Sequence, residues 1–366
     1  MELQQFLRGG KTIEDLYALY SIKAVQHKKY PELYLFKYNQ IESPFAERIV
    51  QESRGVILNK NDNWNIVSRA FDKFFNHGEQ LAAKIDWNEA YIQEKLDGSL
   101  ISMYWYDGKW NVATSGSPDA SGDVFGHGFT FEELFWKTFT DLGYKPPPER
   151  HKCITFIFEL MTMYNRVVVA HKEPRLVLIG MRCNVDELST ELDIHDSASV
   201  TKPLGYEKVR LFVTESSIDN IVASFSNMDP VSQEGYVVMD VDFKRIKVKH
   251  PGYVQLHRFK DGMSKKALLE IIRTGETSEL LVHFPEWKEM HDEIFEKYES
   301  LKKRIAETHE RTYNTLSQKA FAMMIKELPY SGILFSLRAG KIKSIAEGLK
   351  NLDIDRLYTL VYAEVG

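Results

Sequence analysis

The sequence is that of an α+β protein in two parts, and three observations predict it. Up to about residue 258, short apolar or alternating runs recur between turn signals, the pattern of strands in sheets. Beyond that point Trp287, Met290, Ile294, Tyr298, Leu301 and Ile305 recur at spacings of three and four, the period of one long amphipathic helix. The length, 366 residues, suits two domains, 1–258 and 259–366, each able to bury a core.

Composition narrows the function. Hydrophobic content of 43% and charged content of 27% are ordinary for a globular protein. No run approaches the ~20 apolar residues of a membrane span, and the opening residues carry no secretion signal. A cytoplasmic protein without membrane partners is expected. The net charge of -5 excludes a general nucleic-acid coat, so any such contact is local. Cys153 and Cys183 lie in apolar runs without zinc spacing and are read as core residues rather than a disulfide. No internal repeat or low-complexity segment is present.

Taken in order, the chain predicts a helix over Ile13 to Lys23 and a strand over Leu33 to Ile41. Arg54 and Gly55 then precede an apolar strand. Ser68 to Glu79 sets Lys73 among Phe71, Phe74 and Phe75, at least two of which belong in a core. Tyr91 to Ile101 (YIQEKLDGSLI) is a β-prone run meeting an Asp97-Gly98 turn, so Lys95 sits where a strand enters a tight loop. A hairpin follows, Ser99 to Tyr106 and Lys109 to Ser115 around Asp107-Gly108. Ser115 to Gly128 is too rich in Gly, Ser and Asp for regular structure and reads as a mobile loop.

An amphipathic helix over Phe131 to Leu142 precedes the strand Cys153 to Met161, in which Glu159 is a lone carboxylate. Burying it unpaired costs several kcal/mol, roughly, so it needs a hydroxyl, metal or lysine partner. Arg175 to Arg182 is another buried strand, and Glu234 opens the apolar run EGYVVMD. Lys247 and Lys249, two apart on a strand, share a face opposite Ile246 and Val248. An edge strand with solvated lysines is the competing reading. Helices are predicted from Ser317 to Leu328, stopped by Pro329, and from Ile345 to the end. The second part carries as many cationic as anionic residues and is no basic arm.

A lysine is a nucleophile only when neutral, and a reference pKa of ~10.4 requires burial or neighbouring cations to lower it. The order of Lys95, Glu159, Glu234 and the pair Lys247 and Lys249 resembles the motif series of the covalent nucleotidyltransferase superfamily of ligases and capping enzymes. Within it the chain is similar to phage-type ATP-dependent RNA ligases that repair tRNA. Their SRPxxKFFN pattern is matched at Ser68, Arg69, Lys73, Phe74, Phe75 and Asn76, and their asparagine-arginine pair at Asn165 and Arg166.

The resemblance implies an adenylyltransferase domain of antiparallel sheets with flanking helices, followed by an all-helical domain that selects RNA. It implies ATP as substrate, Mg²⁺ or Mn²⁺, and RNA with 5′-phosphate and 3′-hydroxyl ends, tRNA included, joined by a monomer. Lys95 is the expected nucleophile, and Lys247 and Lys249 the neutralisers of the α-phosphate that also help to lower the pKa of Lys95. Arg54, Lys73, Glu94 and Gly98 complete the nucleotide site; Glu159 serves the ribose and the metal, and Glu234 the metal. The family often has a cation where this chain has Ser115, which puts one phosphate contact in doubt. A DNA ligase or GTP-dependent capping enzyme of the same fold, or a non-catalytic RNA-end-binding protein, are the alternatives.

Overall fold

The computed structural model describes residues 1–185, 189–212, 217–260, 264–274, 281, 287–313 and 317–363. The fold is α+β, in two compact units, Met1–Leu256 and His257–Gly366. Fifteen strands are described down the chain: β1 (Ile22–Gln26), β2 (Leu33–Tyr38), β3 (Arg54–Asn59), β4 (Asn65–Ser68), β5 (Phe75–Asn76), β6 (Tyr91–Glu94), β7 (Ser99–Tyr106), β8 (Lys109–Thr114), β9 (Ile154–Met161), β10 (Arg175–Cys183), β11 (Thr190–Leu192), β12 (Glu207–Lys208), β13 (Leu211–Phe212), β14 (Gly235–Met239) and β15 (Arg245–Lys249).

They build three sheets. The first is the antiparallel meander β1-β2-β3-β4; the second has the order β11-β10-β9-β7-β8, with β12 on β10; the third has the order β13-β6-β14-β15-β5. Pairing is antiparallel except for β10 with β12 and β15 with β5. The apolar runs of β3, β8, β9 and β10 are buried on both faces, the pattern of central strands. Phe135 and Phe139 of the helix Phe131–Asp141 pack with Phe156, Phe158 and Tyr206 on the second sheet. Ile221 and Phe225 cover Ile92, Val238, Ile246 and Val248 of the third.

A buried ion network ties the sheets together. Glu191 of β11 accepts from Arg182 of β10 at 3.3 Å and from Arg245 of β15 at 2.9 Å. Arg182 also lies 3.8 Å from Asp72, which accepts from Arg69 at 2.9 Å beyond the end of β4. Such a network specifies geometry more than it adds net stability, but removing one member strands its partners in a dry interior.

Several expectations are corrected. A helix that the sequence did not show, Glu2–Arg8, opens the chain, and the one expected over Ile13 to Lys23 ends at Tyr20, because Ser21 turns into the left-handed region (φ 53) and delivers Lys23 to β1. The second strand ends at Tyr38 rather than Ile41. Ser115 to Gly128 holds no helix or strand, as expected, but it is not wholly solvated: Ala120 and Val124 are fully buried in the second sheet's core, and Asp119 accepts from Ser117 at 2.6 Å. Cys153 and Cys183 are half-buried free thiols whose sulfurs lie 3.6 Å apart.

In the second unit the helix Lys288–Tyr313 buries Ile294, Tyr298, Leu301 and Ile305, the predicted stripe. The helix expected from Ile345 onward is two, Ile345–Lys350 and Ile354–Tyr362, because Asp353 caps a new start by accepting from the Arg356 N–H. The helix before Pro329 is Gln318–Ile325, and Ser331–Arg338 is a further helix that the sequence reading lacks.

Glu191→Leu leaves the Arg182 and Arg245 guanidiniums without their shared carboxylate. It is expected to lower stability by about 3–5 kcal/mol, read as a shift in the urea midpoint.

Candidate active site

Strand direction builds the site. Because β14 runs antiparallel to both β6 and β15, those two are parallel to each other, and their C-terminal ends lie beside the start of β14. Lys95 directly follows β6, Glu234 directly precedes β14, and Lys247 and Lys249 close β15. The Lys95 N–H donates to the Gly235 carbonyl at 2.9 Å, while Gly235 sits opposite Lys249. Residues far apart in sequence thus reach one end of the third sheet.

At that end Glu234, 3% exposed, holds two lysines with its carboxylate. Lys95 Nζ donates to Oε2 at 2.5 Å, and Lys249 Nζ lies 2.8 Å from Oε1. Gly235 permits this close entry: it has φ +138, and a Cβ there would stand 2.3 Å from the Val248 carbonyl oxygen. Ile246 and Val248 face the core, and β15 lies between β14 and β5. The lysines therefore do not decorate a sheet edge.

A cleft of about 170 Å³ opens between the second and third sheets, with Lys95, Glu94, Arg54, Glu159, Lys247 and Lys249 on its walls. Burial, and after it the cations Arg54, Lys95, Lys73 and Lys249, push the Lys247 ammonium down to about 7. Lys247 Nζ lies 4.8 Å from the centre of the Phe74 ring, and the Arg54 guanidinium 5.6 Å from the same ring. Glu159, paired across to β7 and β10, shows the opposite effect. Burial pushes its carboxyl up to about 8; Lys95 opposes the shift, and Glu234 and Asp97 add to it.

Lys73, Gly98 and the motif residue Asn165 have surroundings of their own. Lys73 is on the wall of a neighbouring cavity of about 370 Å³, with Nζ 4.3 Å from the centre of the Phe45 ring and 4.9 Å from that of Tyr38. Gly98 makes room for protein: a Cβ would stand 2.3 Å from the Leu160 carbonyl oxygen, so the loop after Lys95 lies directly on β9. Asn165 is buried and donates to Ser99 Oγ and the Leu160 carbonyl, bracing the same loop.

Asp97, Tyr253 and Arg245 were missed. Asp97 is a buried clamp, accepting from the Val168 and Val169 N–H groups at 2.8 and 2.6 Å and from the Tyr253 hydroxyl at 2.7 Å. His171 Nε2 lies 2.8 Å from its carbonyl oxygen. An Asp-Gly pair signals a turn, which hid this role, and nothing near Tyr253 marks it. Arg245, on the same face as the two lysines at a spacing of two, was legible as a third member.

The chain matches the family model described as RNA ligase over residues 52–253, more than half of its length and all of the proposed site. It belongs to the RNA ligase family. This family member is 26% identical to an RNA ligase of Rhodothermus phage RM378 over 81% of this chain and 80% of that one. It is 27% identical to a candidate bifunctional polynucleotide kinase/RNA ligase of Autographa californica nuclear polyhedrosis virus, over 86% of this chain but only 46% of that protein. Among solved structures, an archaeal ATP-dependent RNA ligase overlays with a TM-score of 0.48 at 13% identity, covering 74% of this chain and 67% of that one.

The raised Glu159 pKa sets a pH dependence in this RNA ligase. A carboxyl near 8 in the folded state and about 4.3 unfolded binds its proton more tightly when folded, so stability falls as pH rises between those values. Glu159→Gln, neutral throughout, is expected to raise the thermal midpoint of the free protein little at pH 5 and clearly at pH 8.5, measured by calorimetry.

Proposed function

We propose that the chain joins RNA 3′-hydroxyl and 5′-phosphate ends with ATP, through adenylated Lys95 and then an adenylated RNA end. The observation that carries this reading is the Glu234 carboxylate shared by Lys95 and Lys249, beside a cleft walled by Glu159, Lys247 and Arg54. In the first step Lys95 Nζ bonds to the α-phosphorus of ATP, the bond to the β-phosphate oxygen breaks, pyrophosphate leaves and the amine gives up a proton. The RNA 5′-phosphate oxygen then takes the adenylyl group, the N–P bond breaks, and Lys95 recovers a proton. Finally the 3′-hydroxyl attacks the 5′-phosphorus, losing its proton as AMP departs. All three are in-line substitutions, in which positioning and charge neutralisation do most of the work.

Each residue has a part in this scheme. Glu234 orients Lys95 in the free protein, and the attack requires that pair to open. Lys249 and Lys247 face the α-phosphate. With its pKa near 7, Lys247 gains a proton, and with it a charge, as phosphate oxygens arrive. Arg54 holds outer phosphate oxygens. Glu159, with its high pKa, offers an O–H or a carboxylate to the ribose hydroxyls. Mg²⁺ takes one or two carboxylates with waters and phosphate oxygens, and Mn²⁺ is an alternative ion. Glu159 and Glu234 meet that modest demand, and among the described residues no larger acidic or His/Cys cluster exists. When bound, the ion would neutralise phosphate charge.

The expected substrate is RNA with 5′-phosphate and 3′-hydroxyl ends, tRNA included. One chain carries every proposed catalytic group, so a monomer suffices, and RNA selection is assigned to the helical unit. The family match sets aside the DNA-ligase and capping alternatives.

With α-labelled ATP and Mg²⁺ the wild type is expected to keep label through denaturation and Lys95→Ala to keep none. Glu234→Ala is expected to label at least about ten-fold more slowly, the loss of a charged hydrogen bond. A chain ended after Lys260, which retains Tyr253, is expected to label normally while losing preference for nicked stem-loops over linear RNA. A wild type that never retains label returns the reading to an RNA-end-binding protein.

A further inference from the structure

Lys37, a cation near the site, has no part in the scheme above. Lys37 is half-buried at the end of β2, directly opposite Arg54 of β3 in the strand register. Its Nζ stands only 3.2 Å from where a Cβ on Gly116 would be. Gly55, next to Arg54, is equally close to Ser115: a Cβ there would stand 3.0 Å from the Ser115 Cα. The ends of β2 and β8 and the start of β3 thus form one corner, holding Lys37, Arg54 and the uncharged Ser115-Gly116 turn.

The other lysines of the region have partners. Lys95 and Lys249 share Glu234, and Lys73 lies against aromatic rings. Among the described residues no hydrogen bond or ion pair joins Lys37 Nζ to anything, whereas burial and the neighbouring Arg54 both push its pKa down. Like charges directly opposite on adjacent strands are destabilising, and a half-buried ammonium without an acceptor adds to the cost. Arg54 is also on the cleft wall, so the corner adjoins the cleft through Arg54, although Lys37 itself does not line it. A phosphate oxygen between the two cations would relieve both penalties through charge-assisted hydrogen bonds.

We propose that Lys37 and Arg54 form a two-cation phosphate clamp, with Lys37 supplying the charge that the Ser115-Gly116 turn lacks. The inference rests on the ligase reading and deepens it by adding a phosphate-binding residue to the site. The phosphate is either that of the ATP tail or the 5′-phosphate of the RNA, and the two steps of the reaction separate these sources.

The test uses the full-length protein with Lys37→Met, which keeps length without charge, and Lys37→Arg, which keeps charge. If the clamp holds the ATP tail, Lys37→Met raises the ATP KM for labelling of Lys95 by about ten-fold or more. If it holds the RNA end, labelling is normal and transfer of the adenylyl group to 5′-phosphate RNA slows by a similar factor. Either result supports the clamp when Lys37→Arg retains most activity and the thermal midpoint of Lys37→Met equals or exceeds that of the wild type. A lysine with a structural role would lower that midpoint. The clamp is overturned if Lys37→Met leaves both steps unchanged, or if its losses come with a lowered midpoint and are shared by Lys37→Arg. A wild type that takes no label overturns the ligase reading itself, and the clamp with it.

Discussion

The Glu234 carboxylate, held at the mouth of β14 between Lys95 and Lys249, is the contact on which the architecture converges. A buried carboxylate between two ammonium groups is stable only if both stay within hydrogen-bond reach, because losing one leaves uncompensated charge. The antiparallel insertion of β14 between β6 and β15 enforces that geometry. It also explains why a nucleophile near residue 95 and cations near residue 248 meet. The Asp97 clamp fixes the next turn of chain, and Gly98 seats it against Leu160, so Lys95 leaves β6 along a braced path.

Around this contact the protein accumulates charge at a cost. Lys247 is driven toward neutrality, Glu159 toward protonation, and Lys37 faces Arg54 across two strands. Each is a group that folding alone would replace with something apolar or better paired. Their common feature is a position where a triphosphate, a ribose or an RNA end would supply the missing charge or hydrogen bond. Poor self-satisfaction in the free protein is the complement of tight binding, as expected where activity is bought with stability. The Arg182–Glu191–Arg245 network, by contrast, is internally paired and joins the second and third sheets on the wall of the neighbouring cavity.

Much of this was legible from the chain. Alternation gave the strands, three-and-four spacing gave the long helix, and the spacing of Lys247 and Lys249 placed them on one face. Lys95 and Glu234 were marked by a turn signal and a strand entry. What stayed hidden depends on tertiary approach. No linear pattern reports that β5 pairs in parallel with β15, that Phe74 and Arg245 border both cavities with Lys73 on the farther one, or that Asp97 serves as an acceptor for Tyr253. The uncharged Ser115 looked like a lost contact, yet β2 brings Lys37 to the same corner from nearly 80 residues away. A Gly- and Ser-rich composition pointed to an irregular segment after Ser115, which it is, but gave no sign that Ala120 and Val124 within it reach the core.

The central claim is that Lys95 leaves Glu234 to attack a nucleotide bound in the cleft between the second and third sheets. The most direct measurement is a crystal structure with Mg²⁺ and an ATP analogue whose α,β-bridge cannot be cleaved. The account predicts the α-phosphorus about 3–3.5 Å from Lys95 Nζ, the near-attack distance, with Lys247 and Lys249 on its oxygens and the Lys95–Glu234 pair opened. A nucleotide bound elsewhere, or Lys95 still paired with Glu234 while the cleft is filled, would contradict it.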